Sequence, residues 1–167
     1  MKYAGQFYFI SWHGRLLQAY TDGEMHASQE IGNVGKEERW NVYVWQDGKI
    51  LLQNYRSNSW LCAEPSGQAI CNREQPDVWE QWTLHGVGGR VALLSNHNRW
   101  LCAQPPGDDT QYGGEVIADR GECREWERFS MIPAEGTREV NQSWWNDVLE
   151  AVNVAKEVVP IIVKIAA

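Results

Sequence analysis

Two tryptophans at matching positions offer flat apolar surfaces on which a sugar ring could stack. Trp60 and Trp100 each begin the sequence Trp-Leu-Cys-Ala, and each follows a polar turn, Asn58-Ser59 in one case and Asn98-Arg99 in the other. Two interpretations fit this pattern. The tryptophans are either two copies of a stacking platform for a saccharide, or two packing positions at the entrance of a hairpin.

A loop in the later of the two segments carries further groups that can bind a ligand. Seven positions separate Ala63 from Ile70, whereas fourteen separate Ala103 from Ile117, so residues 105–114 contain a seven-residue insertion. Loops on a rigid scaffold often carry binding residues, although a solvated loop without a role also fits. The candidate ligand-binding side chains of the insertion supply acceptors and one aromatic ring: Asp108, Asp109, Gln111 and Tyr112.

The acidic composition argues against several classes of function. The 167 residues carry a formal net charge of −7 and no basic run, so nucleic acid, whose phosphates bind lysine and arginine, is not an expected partner. The four histidines are scattered, and no Ser-His-Asp or Cys-His grouping is apparent. We therefore expect no enzymatic activity, no catalytic residue, no metal and no cofactor. A neutral ligand, such as a glycan or glycoprotein, fits better.

The two tryptophan segments belong to a larger internal repeat. Three further pairs of segments match at a similar spacing: residues 48–52 with 89–93, 70–73 with 117–120, and 79–84 with 126–131. A more diverged copy opens the chain and ends near Trp40. Trp40 and Trp82 lie 42 positions apart, and Trp82 and Phe129 lie 47 apart. Such a period indicates a repeat architecture.

Each copy reads as about four short strands separated by turn residues, and no amphipathic helical pattern appears before residue 143. Asp47-Gly48 has the form of a tight hairpin. One copy alone would leave its apolar face in water, so the three are expected to close together around a pseudo-threefold axis. The alternation predicts these core residues: Phe7, Phe9, Leu16, Trp40 and Val42; Ile50, Leu52, Leu61, Ile70, Trp82 and Leu84; Val91, Leu93, Leu101, Ile117, Phe129 and Met131.

Other residues at recurring positions are given structural roles. Arg73 recurs as Arg120, and the two are expected to form ion pairs with Glu80 and Glu127, respectively. Six of the ten tryptophans sit at or beside repeat positions, and we assign most of them to the core: Trp40, Trp60, Trp79, Trp82, Trp100 and Trp126.

Three four-stranded repeats of this size resemble the β-trefoil, a six-stranded barrel capped on one side by three hairpins. The succession Trp-Leu-Cys-Ala, Ile-x-x-Arg and Trp-Glu-x-aromatic is similar to the fascin-like branch of this fold over residues 48–131. The resemblance implies an all-β fold of three four-stranded repeats over residues 1–140, followed by a helical extension over residues 141–167. The repeats fall at about 5–47, 48–88 and 89–135.

The chain departs at two motifs from the ricin-B-type lectins of the same fold, although its cysteine placement is similar to theirs. Those proteins carry Gln-x-Trp where this chain has Glu80-Gln81-Trp82, and they carry an aspartate after the first cysteine of a repeat, where Glu64 and Gln104 stand here. Glu64 and Gln104 are candidate ligand-binding residues, together with Trp60 and Trp100.

The four cysteines fall in pairs within the two later repeats, Cys62 with Cys71 and Cys102 with Cys123. The N-terminus shows no apolar leader, so we expect a cytoplasmic protein, or one released without a signal peptide, with reduced thiols. Their spacing within the repeats, and their resemblance to the ricin-B-type disulfide, keep open two disulfides across adjacent strands.

At Ser143 the sequence period changes to that of a helix. Ser143 is a good N-cap, and residues 143–159 predict an amphipathic helix that Pro160 ends. Charged residues interrupt the apolar segment, so it is not a transmembrane helix. The tail either folds back on the barrel, bundles with copies of itself or a partner, or inserts into a bilayer after oligomerising. Its candidate oligomer or membrane contacts are Trp144, Trp145, Val148, Val152, Val159 and Ile162.

The main hypothesis is a glycan-binding, lectin-like β-trefoil made multivalent by self-association of its C-terminal helix. One alternative is a membrane-active toxin or defence protein, in which residues 143–167 form the lytic half. The resemblance to the fascin-like branch implies actin binding as another alternative, although the acidic charge argues against it. A protease inhibitor that uses residues 105–114 is a fourth possibility.

Overall fold

The computed structural model describes residues 1–32, 34–46, 48–107, 113–134 and 141–151. The strands are β1 (Lys2–Ser11), β2 (Arg15–Ala19), β3 (Met25–Glu30), β4 (Trp40–Val44), β5 (Lys49–Asn54), β6 (Trp60–Ala63), β7 (Ala69–Arg73), β8 (Trp82–Val87), β9 (Arg90–Leu94), β10 (Trp100–Ala103), β11 (Val116–Arg120) and β12 (Phe129–Pro133). Short 3₁₀ helices cover Lys36–Glu38, Val78–Glu80 and Glu125–Glu127, and the helix α1 covers Gln142–Ala151.

Six of the strands close into an antiparallel barrel. Pairing runs from β1 to β4, β5, β8, β9 and β12, and β12 returns to β1. Closure leaves these six strands without a free edge. The predicted hairpin between β4 and β5 is confirmed by an unbroken register from Trp40↔Asn54 to Val44↔Ile50.

The other six strands form three hairpins, β2–β3, β6–β7 and β10–β11, which meet over one end of the barrel. One backbone hydrogen bond recurs three times between them. The N–H of Ala27 donates to the carbonyl of Gly114 (2.7 Å), that of Cys71 to Gly23 (2.8 Å), and that of Ala118 to Gly67 (2.8 Å). A six-stranded barrel with a threefold cap of hairpins is the β-trefoil, so the predicted fold class is confirmed.

A recurring indole hydrogen bond shows which leucines are equivalent. The Nε1 of Trp40 donates to the carbonyl of Leu17, and the Nε1 of Trp82 donates to the carbonyl of Leu61, each at 3.1 Å. Leu17 therefore corresponds to Leu61, and the assignment of Leu16 to the central core is wrong. Leu16 packs in a second, smaller cluster with Tyr8. Because Leu16 and Leu17 are adjacent, the alternating pattern alone does not show which of the two points to the central core.

The predicted inward orientation of Ile70 and Ile117 is also wrong, because both are only half-buried. Their neighbours occupy the core instead: Ala69, Cys71, Val116 and Ala118. In a strand, successive side chains point to opposite faces. Where the three hairpins meet, the smaller side chains face inward, and the backbone of each isoleucine forms a bridge to the adjoining hairpin.

The helix α1 folds back on the barrel. Trp145 and Val148, 7% and 5% exposed, join the central core, and the Trp145 ring lies 5.0 Å from that of Phe7. The carboxamide oxygen of Asn141 accepts the N–H of Trp144 (3.2 Å), so the cap is Asn141 rather than the predicted Ser143. Over residues 142–151 this is the first of the three predicted arrangements, and the rest of the tail lies outside the described residues. None of the helical segments within the described ranges reaches the length and hydrophobicity that a bilayer span requires.

All four cysteines are free thiols, so the two disulfides kept open by the sequence are not formed. Cys71 lies opposite Leu61 in the ladder between β6 and β7, which turns Cys62 and Cys71 to opposite faces of the hairpin. Burial raises the pKa of both thiols to about 12. They are therefore protonated and inert at neutral pH.

Candidate functional site

A buried glutamate fixes the same turn in all three repeats. Glu38, Glu80 and Glu127 each end a 3₁₀ helix and are 2%, 3% and 4% exposed. Each carboxylate accepts the backbone N–H three residues earlier, that of Gly35 (3.1 Å), Asp77 (2.7 Å) and Arg124 (2.7 Å). These bonds fill the role of a helix cap. They explain why a glutamate stands at this position of every repeat.

Replacing Glu38 by glutamine is expected to change how stability depends on pH. Burial, followed by the neighbouring Glu37 carboxylate, raises the pKa of Glu38 above its ordinary value of 4.5. A raised pKa in the folded state stabilises the protein below the unfolded pKa, and that contribution is lost as pH rises through the folded pKa. The free energy of unfolding of Glu38→Gln, minus that of the wild type, should therefore increase as the pH rises from about 4 to about 7. Urea unfolding at the two pH values measures this difference.

The matched control is Glu125→Gln, which removes an exposed carboxylate from the equivalent turn of the third repeat. Its stability difference from wild type should change less with pH. A difference for Glu38→Gln that is the same at both pH values would show that the Glu38 pKa is not raised.

The residue before each buried glutamate points to solvent. Trp79 is 37% exposed and Trp126 is 41% exposed, so the assignment of these two tryptophans to the core is wrong. The 3₁₀ turn, held by its glutamate, directs the preceding side chain outward. In the first repeat the same position holds Glu37.

A surface cleft lies beside each exposed indole. The Trp79 cleft has a volume of about 480 Å³ and the Trp126 cleft one of about 670 Å³, both in the range of small-ligand sites. The Trp79 cleft is lined by Arg73, Gln75, Asp77, Val78, Trp79 and Glu80; the Trp126 cleft is lined by Arg120, Gly121, Glu122, Arg124, Glu125, Trp126 and Glu127. The two clefts occupy equivalent positions in the second and third repeats.

The arginine of each cleft is paired differently from the prediction. Arg73 Nη2 donates to Glu64 Oε1 at 3.0 Å, whereas the predicted partner, Glu80, is held by the backbone of its own turn. Arg120 forms its ion pair with Asp119, at 3.7 Å. The candidate residue Glu64 therefore lies beside the Trp79 cleft and orients the guanidinium of Arg73, which lines that cleft.

A histidine from the next repeat around the threefold axis packs on each cleft tryptophan. The rings of His97 and Trp79 lie 5.6 Å apart, and those of His13 and Trp126 lie 5.4 Å apart, both edge to face. His97 Nε2 is 3.0 Å from the carbonyl oxygen of Ala63. Burial lowers the pKa of His13, so that ring is neutral at pH 7. Each cleft tryptophan is thus packed against a histidine from a neighbouring repeat.

The other residues predicted to bind a ligand are not gathered in these clefts. Trp60 is 6% exposed and its ring packs 5.2 Å from Tyr43, which fits the packing interpretation. Trp100 is half-buried, 5.1 Å from the ring of His85. Gln104 is half-buried, and its backbone N–H donates to the carbonyl of Glu115. The remaining predicted residues lie outside the described ranges: Asp108, Asp109, Gln111, Tyr112, Val152, Val159 and Ile162.

The sequence held one signal that would have located the clefts. The position of Trp79 and Trp126 is occupied by Glu37 in the first copy, and a charged side chain at a repeat position indicates a solvent-facing site.

Among the residues that the structure describes, no group of three or more His, Cys, Asp or Glu side chains is placed to hold a metal ion.

Comparison with known proteins gives matches in structure only. No protein-family model matches the chain, and neither does any curated protein. A designed three-fold symmetric protein, ThreeFoil, superposes with a TM-score of 0.64 and 18% identity over 76% of this chain and 97% of its own. The chain has the β-trefoil fold.

Two lectins are among the similar structures. SeviL, solved bound to asialo-GM1 saccharide, gives a TM-score of 0.62 and 17% identity over 78% of this chain and 98% of its own. The Polyporus squamosus lectin, bound to a human-type influenza-binding epitope, gives a TM-score of 0.62 and 11% identity over 78% of this chain and 49% of its own. At these identities the likeness is one of fold.

Proposed function

We propose that this β-trefoil is a glycan-binding protein, without enzymatic activity, that holds saccharides in the Trp79 and Trp126 clefts. The observation that carries the proposal is the recurrence of an exposed indole beside a polar cleft at equivalent positions of two repeats. An exposed indole beside a concave surface offers a flat apolar face on which a ligand ring can stack. The likeness in fold to two lectins supports the same class of function.

The chemistry of each cleft suits a sugar ring. The apolar face of the ring covers the indole, while its hydroxyl groups need donors and acceptors at the rim. In the Trp79 cleft, Gln75 and Asp77 are exposed at the rim and Arg73 is held by Glu64. Glu80 accepts a backbone N–H and serves the turn rather than the ligand.

The protein should present two such sites rather than three. In the first repeat Glu37 replaces the tryptophan, and its carboxylate lies 3.3 Å from the guanidinium of Arg56. This ion pair offers no flat apolar surface. Two weak sites on one rigid body can bind a branched or clustered glycan more tightly than either does alone.

The test is the affinity of single and double variants for a glycan found by array screening of the full chain. Trp79→Ala and Trp126→Ala should each lower affinity about tenfold, and the double variant should abolish binding, because a buried aromatic anchor dominates such contacts. Trp45→Ala removes an indole of similar exposure outside the clefts and should bind normally. An array without any hit, or full binding by the double variant, would contradict the proposal.

Multivalency through self-association of the C-terminal helix stays a prediction, because three of the six predicted contact residues lie beyond Ala151. Trp145 and Val148 are committed to the barrel core, and Trp144 packs against it with its ring 6.0 Å from that of Phe7. The membrane-active, actin-binding and inhibitor alternatives also stay predictions, as does the resemblance to the fascin-like branch.

A further inference from the structure

A positively charged cluster lies on this acidic protein where the β1–β2 and β8–β9 turns approach each other. Trp12 is 42% exposed, and the guanidinium carbon of Arg90 lies 4.7 Å from the centroid of its ring. The Arg128 guanidinium lies over Gly88, with Nη1 3.2 Å from the place that a Cβ there would occupy. We name Trp12, Arg90 and Arg128 the arginine patch.

Among the described residues, no carboxylate neutralises the two guanidinium groups of the arginine patch. Within the described part of the chain, neither has a carboxylate oxygen within 4.0 Å. The Nε of Arg128 is buried and makes no hydrogen bond there. Burial, followed by the positive charge of Arg128, lowers the pKa of Arg90. Two like charges held together without an acidic partner favour an anionic ligand.

The arginine patch is not a requirement of the fold. Arg90 and Lys49 are the first residues of equivalent strands, and Arg128 and Gln81 follow equivalent 3₁₀ helices. Trp12 corresponds to Asn96, since each follows a serine whose carbonyl closes the turn. At the junction between the second and third repeats, Lys49, Gln81 and Asn96 thus replace the whole patch, and the trefoil closes equally well.

The arginine patch borders the Trp126 cleft. Trp12 precedes His13, whose ring contacts Trp126. The Arg128 side chain contacts the Cys123 thiol, and both chain neighbours of Cys123 line that cleft. The arginine patch is thus joined to the Trp126 cleft at two points, through His13 next to Trp12 and through Cys123, which Arg128 contacts.

We propose that Trp12, Arg90 and Arg128 bind the acidic group, a carboxylate or a sulfate, of a saccharide whose ring occupies the Trp126 cleft. This inference rests on the proposed function, because it names the chemical class of sugar taken by one of the two clefts. Guanidinium groups bind planar carboxylates and sulfates through paired, charge-assisted hydrogen bonds. The Trp79 cleft, which lacks this patch, should take neutral sugars.

The experiment titrates the full chain with two sets of three sugars that differ only in the substituent at C6. One set is galactose, galacturonic acid and galactose 6-sulfate, and the other consists of the corresponding glucose compounds. Binding is followed by the NMR signals of the Trp indole and Arg Nε groups. At the Trp126 cleft, one or both acidic sugars should bind about tenfold more tightly than the neutral sugar. The two acidic arms show whether carboxylate or sulfate is preferred.

Two variants each remove one guanidinium group, and one of them, Arg128→Gln, places at position 128 the glutamine that the second repeat has at position 81. Arg128→Gln and Arg90→Gln should each remove the preference for acidic sugars and leave the affinity for the neutral sugar unchanged. Lys49→Gln removes the corresponding charge of the second repeat and should keep the preference. Acidic sugars that bind no more tightly than neutral ones, or an equal loss in Lys49→Gln, would overturn the assignment.

Failure of the proposed function would look different. If no sugar perturbs Trp126, the glycan proposal fails at this cleft, and inorganic sulfate then decides the anion site. A shift of the Arg128 Nε signal by sulfate that Arg90→Gln abolishes would uphold the site. The absence of that shift in the wild-type chain would overturn it.

Discussion

Replacing Gly114 by alanine is expected to lower the free energy of unfolding by about 3 kcal/mol, because two penalties add. Gly114 has a φ of +68°, which costs an L-residue about 1–2 kcal/mol. A Cβ at this position would also collide with the carbonyl of Ala27. The carbonyl of Gly114 accepts the N–H of Ala27 in one of the three backbone hydrogen bonds that join the hairpins. Urea unfolding measures the loss.

Gly107→Ala is the matched control for this prediction. Gly107 belongs to the same repeat and has a similar φ of +62°, but a Cβ there would meet nothing within 4 Å. Only the backbone penalty applies, so the expected loss is about 1 kcal/mol. Equal losses in the two variants would mean that the close contact between hairpins at Gly114 does not exist.

Trp145→Ala is expected to cost about 3–5 kcal/mol, the range for removing a large aromatic side chain from a packed core. Trp145 is 7% exposed and packs 5.0 Å from Phe7, a residue at the centre of the barrel core. The loss should appear in urea unfolding, followed by the fluorescence of the remaining tryptophans.

Asp147→Ala is the control on the same helix, because this side chain faces solvent. It should change stability by no more than about 0.5 kcal/mol. If Trp145→Ala left stability unchanged while altering the oligomeric state by sedimentation, the helix would serve assembly rather than the barrel. Burial of Trp145 in the core predicts the opposite.

The fold could be predicted because the same side chains return in each repeat. Trp40, Trp82 and Phe129 mark one core position three times, and their spacing sets the size of the unit. The errors were slips of one residue, as at Leu16 and Ile70. An alternating pattern defines two faces of a strand, but it does not say which face is inward where both carry apolar residues. That choice depends on packing between hairpins distant in sequence.

The site could not be predicted because its exposure comes from an irregular turn. The 3₁₀ helix before β8 interrupts the alternation, and its buried Glu80 turns Trp79 outward. From the sequence alone, a tryptophan three residues before another core tryptophan reads as core. Glu64, a candidate ligand-binding residue from the sequence, forms an ion pair with Arg73, which lines the Trp79 cleft.

The most direct test of the account is an NMR titration of the full chain, with its tryptophans labelled, against the glycan that binds best on an array. We predict that the indole signals of Trp79 and Trp126 shift with increasing glycan, while those of Trp45 and the buried Trp60 stay in place. Shifts confined to other tryptophans, or binding that leaves both cleft signals unmoved, would contradict the assignment of the two clefts as the sugar sites.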